Sequence, residues 1–194
     1  MMINEKAFIA AALSILVIGT IFFGLFSNSW LTWSEEREFY EWEVRAEVNI
    51  GLREMEAKVI MNDDEVSQIY QLEDLEEEED QLNAQLGTQE KGWEDLNSVG
   101  LAAYFLLWAS LALVLAFIVF AILAGLGIFT SRIGMVLGFM AGGSILIGTL
   151  YYGIFAPRPS SLDGIGLGMA FFVVLIGGIV QLGASFLMRW VKKP

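Results

Sequence analysis

The chain has no cysteine and no histidine among its 194 residues. Without cysteine no disulfide can brace a loop, and no thiolate is available for metal binding or nucleophilic attack. Without histidine the commonest general base and the commonest transition-metal ligand are gone. Basic residues are scarce as well: 11 lysines and arginines stand against 23 aspartates and glutamates, a net charge of −12. That balance excludes nucleic acid as a partner, because phosphates need a basic surface.

What the chain has in excess is apolar. Hydrophobic residues make up 56% of it and mean hydropathy is +0.59, where a soluble domain sits nearer about 45–50% apolar. A sequence this greasy and this charged must keep the two kinds of residue apart. Residues 7–26, 99–129, 133–156 and 164–188 contain no charged side chain. Each run reaches the roughly twenty residues with which a helix crosses about 30 Å of hydrocarbon. Unbroken apolar runs are helices and not barrel strands, whose residues alternate. The expected fold is a membrane four-helix bundle, with spans at 7–27, 98–127, 133–155 and 164–189. A loop domain at 28–97, a short outer loop at 156–163 and a basic tail at 190–194 complete it. The first run is longer than the apolar stretch of a cleaved signal peptide and follows a barely basic start, so it is read as a retained span.

An even number of spans puts both termini on one side. Lys6, Arg132, Arg189, Lys192 and Lys193 share that side in short segments, which makes it cytoplasmic and leaves the large loop outside a cell membrane. Trp30, Trp33, Trp93, Tyr151, Tyr152 and Trp190 fall near span ends, where amphipathic rings favour the headgroup level.

Polar residues within the spans are Ser14, Thr20, Ser110, Ser144, Thr149, Gln181 and Ser185. None is ionisable, so no group stands ready to hold an ion or proton at mid-membrane. Gln181 is expected to make an interhelical hydrogen bond. Gly134, Gly138 and Gly142 form two overlapping GxxxG steps, Gly164 and Gly168 a third, and Ala121 with Gly125 a weaker one. Glycines four apart admit a neighbouring backbone. The neighbour is either another helix of the same bundle or a second molecule.

Residues 28–97 hold 21 acidic and 5 basic residues, a net of −16. From Tyr40, the apolar Trp42, Val44, Ala46, Val48 and Ile50 alternate with polar neighbours, the period of a half-buried strand. After Gly51 the phase shifts and Met55, Ala57, Val59 and Met61 take the apolar side, so the glycine marks a turn. A hairpin over about 39–61 is expected. Two strands are marginal alone, so residues 30–33 or the outer helix ends should support it. Its edge along residues 41–49 would be a template for strand addition. Over 64–90, Ile69, Leu72, Leu75, Leu82 and Leu86 recur at helical spacing and predict a helix, with the acids of 73–80 on a solvated face. Asn62-Asp63-Asp64-Glu65 and that acidic run lack EF-hand spacing, so weak cation attraction is expected and no metal site or cofactor. With 21 acids in one loop, close carboxylate pairs say nothing about hydrolysis.

Four spans, a long sheet-bearing first outer loop opening with Trp30, and a short second one resemble the claudin and peripheral myelin protein group of tetraspan proteins. Gly51-Leu52 stands after a strand, where that family carries Gly-Leu-Trp; Arg53 replaces the tryptophan. The family's paired loop cysteines are absent, and its basic residue before the second helix has only Lys91 as a counterpart. The resemblance implies a non-enzymatic protein whose sheet-bearing loop mediates contact. Trp30, Trp33, Trp42, Gly51 and Leu52 would serve that loop's fold or contacts. The implied partners are membrane lipid and either a second copy, giving a homo-oligomer, or another membrane protein. The competing expectation is a channel or transporter component whose acidic loop gathers cations at a pore mouth. An intramembrane enzyme would have only Ser, Thr or Tyr as nucleophile, without an evident base.

Overall fold

The computed structural model describes residues 4–39, 42–61, 64–86, 92–157 and 164–191. Along the chain run α1 (Glu5–Phe26), β1 (Leu31–Phe39), β2 (Trp42–Ile50), β3 (Glu54–Met61), β4 (Asp64–Gln71), α2 (Leu72–Leu86), α3 (Gly92–Gly125), α4 (Ser131–Phe155), β5 (Gly166–Leu167) and α5 (Met169–Leu187). A 3-10 turn at Met188–Trp190 closes α5. Four helices, α1, α3, α4 and α5 with its turn, are long and apolar enough to cross a membrane. The chain is thus mostly helical, has the makings of a multi-pass membrane protein, and carries one small antiparallel sheet.

Two compact units divide it: Met1–Leu25, Tyr104–Leu150 and Val173–Pro194 form the first, Phe26–Ala103 and Tyr151–Phe172 the second. The helical unit packs through small side chains. Ala7, Ala10 and Ala11 of α1 meet Ala121 and Ala124 of α3 and Ala184 of α5, with Phe117 and Met188 filling the space between. Lipid tails are as apolar as leucine, so close backbone approach and dispersion hold such helices together. Gly125 belongs to the same seam, because a Cβ there would lie 2.9 Å from the Phe8 ring.

The second unit holds a five-stranded sheet of order β4-β3-β2-β1-β5. The alternation read from the sequence sets its β2–β3 register, with Val44 opposite Met61, Ala46 opposite Val59, Val48 opposite Ala57 and Ile50 opposite Met55. Gly51 makes the turn, its N–H donating to the Glu54 carbonyl at 2.7 Å. The support that the hairpin needs is β1, which pairs with β2 from Leu31↔Ile50 to Phe39↔Trp42, together with β4 on the other side.

Three expectations are corrected. Residues 64–71 are the strand β4 and not the start of a helix, which begins only at Leu72. The threefold spacing of Ile69, Leu72 and Leu75 imitated a helix across a strand–helix junction. Residues 42–50 are interior to the sheet, so the edge expected along 41–49 is occupied by β1 on one side and β3 on the other. Finally, residues 164–168 precede the last helix: Gly164 has φ of 90°, a left-handed conformation suited to glycine, and β5 then pairs with β1 through Leu31↔Leu167. Tyr40, Glu41, Asn62, Asp63, Lys91, Lys192, Lys193 and the loop residues 158–163 lie outside the described residues.

Candidate functional site

The sheet is fixed at its base by a cluster that links the resemblance residues. Trp30 is fully buried and meets the Tyr152 ring edge-on, with centroids 5.2 Å apart. The Tyr152 hydroxyl donates to the Gly51 carbonyl at 3.1 Å, and the Trp30 N–H donates to the Ile50 carbonyl at 3.0 Å. Gly51 has no room for a side chain, since a Cβ would stand 2.9 Å from the Ser27 carbonyl oxygen. Leu52 is buried, and its carbonyl presses onto α3 at Gly100, the one position where the helix must offer bare backbone to receive it. Gly168 gives the same access to the Ser29 carbonyl, and its N–H donates to the Trp30 carbonyl at 2.8 Å. Trp30 and Tyr152 are therefore core residues of this unit and not headgroup anchors. Sequence reading missed Gly100 and Tyr152 here because glycine and tyrosine near a span end have commoner explanations.

A carboxylate ties α2 to α3. The N–H groups of Gly92, Trp93 and Glu94 donate to Glu79 at 3.0, 2.9 and 3.4 Å, and the Asn97 amide donates to Glu76 at 2.6 Å. The first turn of a helix has unsatisfied N–H groups and the positive end of its dipole, so one anionic side chain there satisfies both. This explains how α3 starts at Gly92, six residues before its apolar stretch was expected to begin at 98.

The other end of the sheet is open. On one face, Leu31, Ile50 and Met55 are buried near the base. Farther along the same face, Val59 and Met61 are 42% and 43% exposed, and Val66, opposite Val59, is 71% exposed. Ile69, on the reverse face of β4, is 57% exposed. β4 has no strand on its outer side among the described residues. Leu72 N–H donates to the Arg53 carbonyl at 2.8 Å, which sets the phase of the β3–β4 ladder. Residues 64, 66, 68 and 70 then direct their backbone groups to β3, and 65, 67, 69 and 71 direct theirs outward. Residues 66–71 of this edge, Val-Ser-Gln-Ile-Tyr-Gln, carry no charge in a domain dense with carboxylates.

On the reverse face, Lys58 sits between Glu56 and Glu65, 3.4 Å from each. Their carboxylates, Glu56 first, hold its ammonium above the ordinary lysine pKa. Pairs that solvent reaches, as it does these half-buried side chains, contribute little to stability. An open cleft of about 360 Å³ on that face is lined by Thr32, Ser34, Arg45, Glu47 and Asn49 and bordered by Trp33, whose strand position belongs to the face of Leu31, and Arg45 and Glu47 neutralise each other at 2.8 Å. Trp42 pairs with Phe39 where β1 and β2 meet.

The glycine steps resolve differently. Side chains of the same chain fill the face of α4: a Cβ at Gly134 would meet Met188 at 3.0 Å, one at Gly138 would meet Phe117 at 2.7 Å and the Ser185 hydroxyl, and one at Gly142 would meet Leu182 at 2.8 Å. Gly164 and Gly168 share no helix. Gln181 is fully buried, but the expected interhelical hydrogen bond is absent: neither amide atom has a partner among the described residues. No group of three or more Asp or Glu side chains is arranged to hold a metal ion among them either.

A scan against protein-family models finds no match. A search of curated proteins finds none.

Proposed function

We propose that the chain is a non-enzymatic, multi-pass cell-membrane protein of claudin-like layout, with cytoplasmic termini, whose outer loop joins it to a second copy through β4. The observation that carries this reading is the β4 edge, unpaired among the described residues, with its outward backbone groups and the exposed Val66 and Ile69. Edge strands are normally blunted by lysine, proline, bulges or a covering element, and 66–71 has neither lysine nor proline. A basic partner would meet this domain at its carboxylates. A second copy presents the same uncharged stretch, so two edges can pair without setting acid against acid. A two-fold register centred on Gln68 satisfies the outward groups of 65, 67, 69 and 71, and sets Val66 opposite Tyr70 of the second copy. Aromatic and β-branched residues in that relation stabilise a sheet. The filled glycine faces of α4 leave the loop as the better-supported contact surface.

Ser67→Pro tests this. Its N–H points outward, so proline removes a donor for the neighbour while sparing the β3 ladder. In mild detergent the wild type is expected to form a dimer, and Ser67→Pro a monomer with unchanged helix content. The dimer fraction should rise with salt, as the screening length falls from about 10 Å at 0.1 M to about 3 Å at 1 M and the two acidic domains repel less. A wild-type monomer at all salt concentrations, or a dimer that survives the proline, rejects the reading.

A further inference from the structure

Gln181 lies on the buried stripe of α5, and its amide is the one buried polar side chain left without a hydrogen-bond partner among the described residues. A primary amide has two N–H donors and an oxygen with two lone pairs, and burying them unmatched is costly. The buried and half-buried hydroxyls that bond within their own helices have no proton to give to its oxygen. Ser185 donates to the Gln181 carbonyl at 2.7 Å, Ser14 to that of Ala10 at 3.0 Å, Ser110 to Leu106 at 2.7 Å and Thr149 to Ile145 at 2.8 Å. Thr20 donates to Val17 at 2.8 Å. Each is left with open lone pairs and no donor, so none of them can serve Oε1.

Two of these hydroxyls flank the amide along α5. One turn before Gln181, a Cβ at Gly177 would collide with Thr20 Oγ1; one turn after it, Ser185 Oγ lies against Gly138. Positions 177, 181 and 185 thus set hydroxyl, amide and hydroxyl on one stripe about 12 Å long at 1.5 Å per residue. Val174 and Met188, both fully buried, close the stripe at either end.

We propose that Gln181 is a binding site for internal water. One molecule donates to Oε1 and a second accepts from Nε2, and their remaining protons go to the open lone pairs of Thr20 and Ser185. Water fits because it brings two donors and two acceptors, and buried waters make about three such bonds to otherwise unmatched groups. An ion does not fit, because the interior of the unit offers no opposite charge. The apolar residues at both ends make this a retaining site and not a passage. The site is independent of whether the loop assembles.

The test is water-to-protein polarisation transfer by solid-state NMR on the full-length, isotope-labelled protein in lipid bilayers. The Gln181 side-chain NH2 is read against the backbone N–H of the same residue, and both are assigned by sequential correlation. Transfer to the side chain is expected to build up several-fold faster than to the backbone, and to slow in Thr20→Val and Ser185→Ala. A side chain as slow as its own backbone overturns the site. So does a fast side chain whose rate is unchanged in both variants, since the flanking hydroxyls would then hold no water.

Discussion

Gly138→Leu should cost the helical unit about 3 kcal/mol or more, while Gly143→Leu, five residues along the same helix, should cost nothing. At Gly138 even the first carbon of a side chain would overlap Ser185 Oγ and stand 2.7 Å from the Phe117 ring. Phe117 is fully buried and Ser185 is bonded to its own helix, so neither can retreat without shifting a backbone. Overpacking a tight core costs about 1–3 kcal/mol and more when the backbone must move. A Cβ at Gly143 meets nothing within 4 Å, and leucine is a better helix former than glycine by nearly 1 kcal/mol. Thermal aggregation in detergent should separate the two variants widely. Equal behaviour would mean that the α4 glycines do not seat α3 and α5.

The second large effect is expected at Trp30→Ala. Burying and then deleting a tryptophan side chain costs about 3–5 kcal/mol, and the edge-on contact with Tyr152 adds about 0.5–1.5 kcal/mol to the loss. Because Trp30 and the Tyr152 ring it packs against both belong to the second unit, the damage should appear there: faster protease cleavage within residues 28–97 with helix content largely kept. Tyr152→Phe, which removes only the hydrogen bond to Gly51, should show a weaker form of the same change. Protease resistance equal to wild type in Trp30→Ala would refute the anchoring role of the cluster.

The four long helices were legible because each is an unbroken apolar run of the length that a helix needs to cross a membrane. The β2–β3 hairpin was legible because Val44 to Ile50 and Met55 to Met61 alternate cleanly about Gly51. The flanking strands were not. Along the β1 sequence Leu31 and Trp33 are followed at the same spacing by Glu35 and Arg37, so the alternation breaks halfway. In β4 the apolar residues sit on both faces, Val66 and Tyr70 on one and Ile69 on the other, which hides a period of two. Glycine spacing was ambiguous for a related reason. GxxxG states that a backbone can be approached but not by what; Phe117, Leu182 and Ser185 answer for α4. At Gly164 and Gly168 the same spacing arose with no helix at all. The base cluster joins Gly51 to Tyr152, 101 residues apart, a contact that no local pattern could announce.

The most direct test of assembly through β4 uses the absence of cysteine from the natural chain. In the register centred on Gln68, that residue faces its own copy as a non-hydrogen-bonded pair, with Cα atoms about 4.5 Å apart, within the range a disulfide spans. Gln68→Cys should therefore give a covalent dimer under mild oxidation in detergent, while Glu77→Cys, on the exposed face of α2, should stay monomeric. No dimer at position 68, or equal dimer at both positions, would contradict the account.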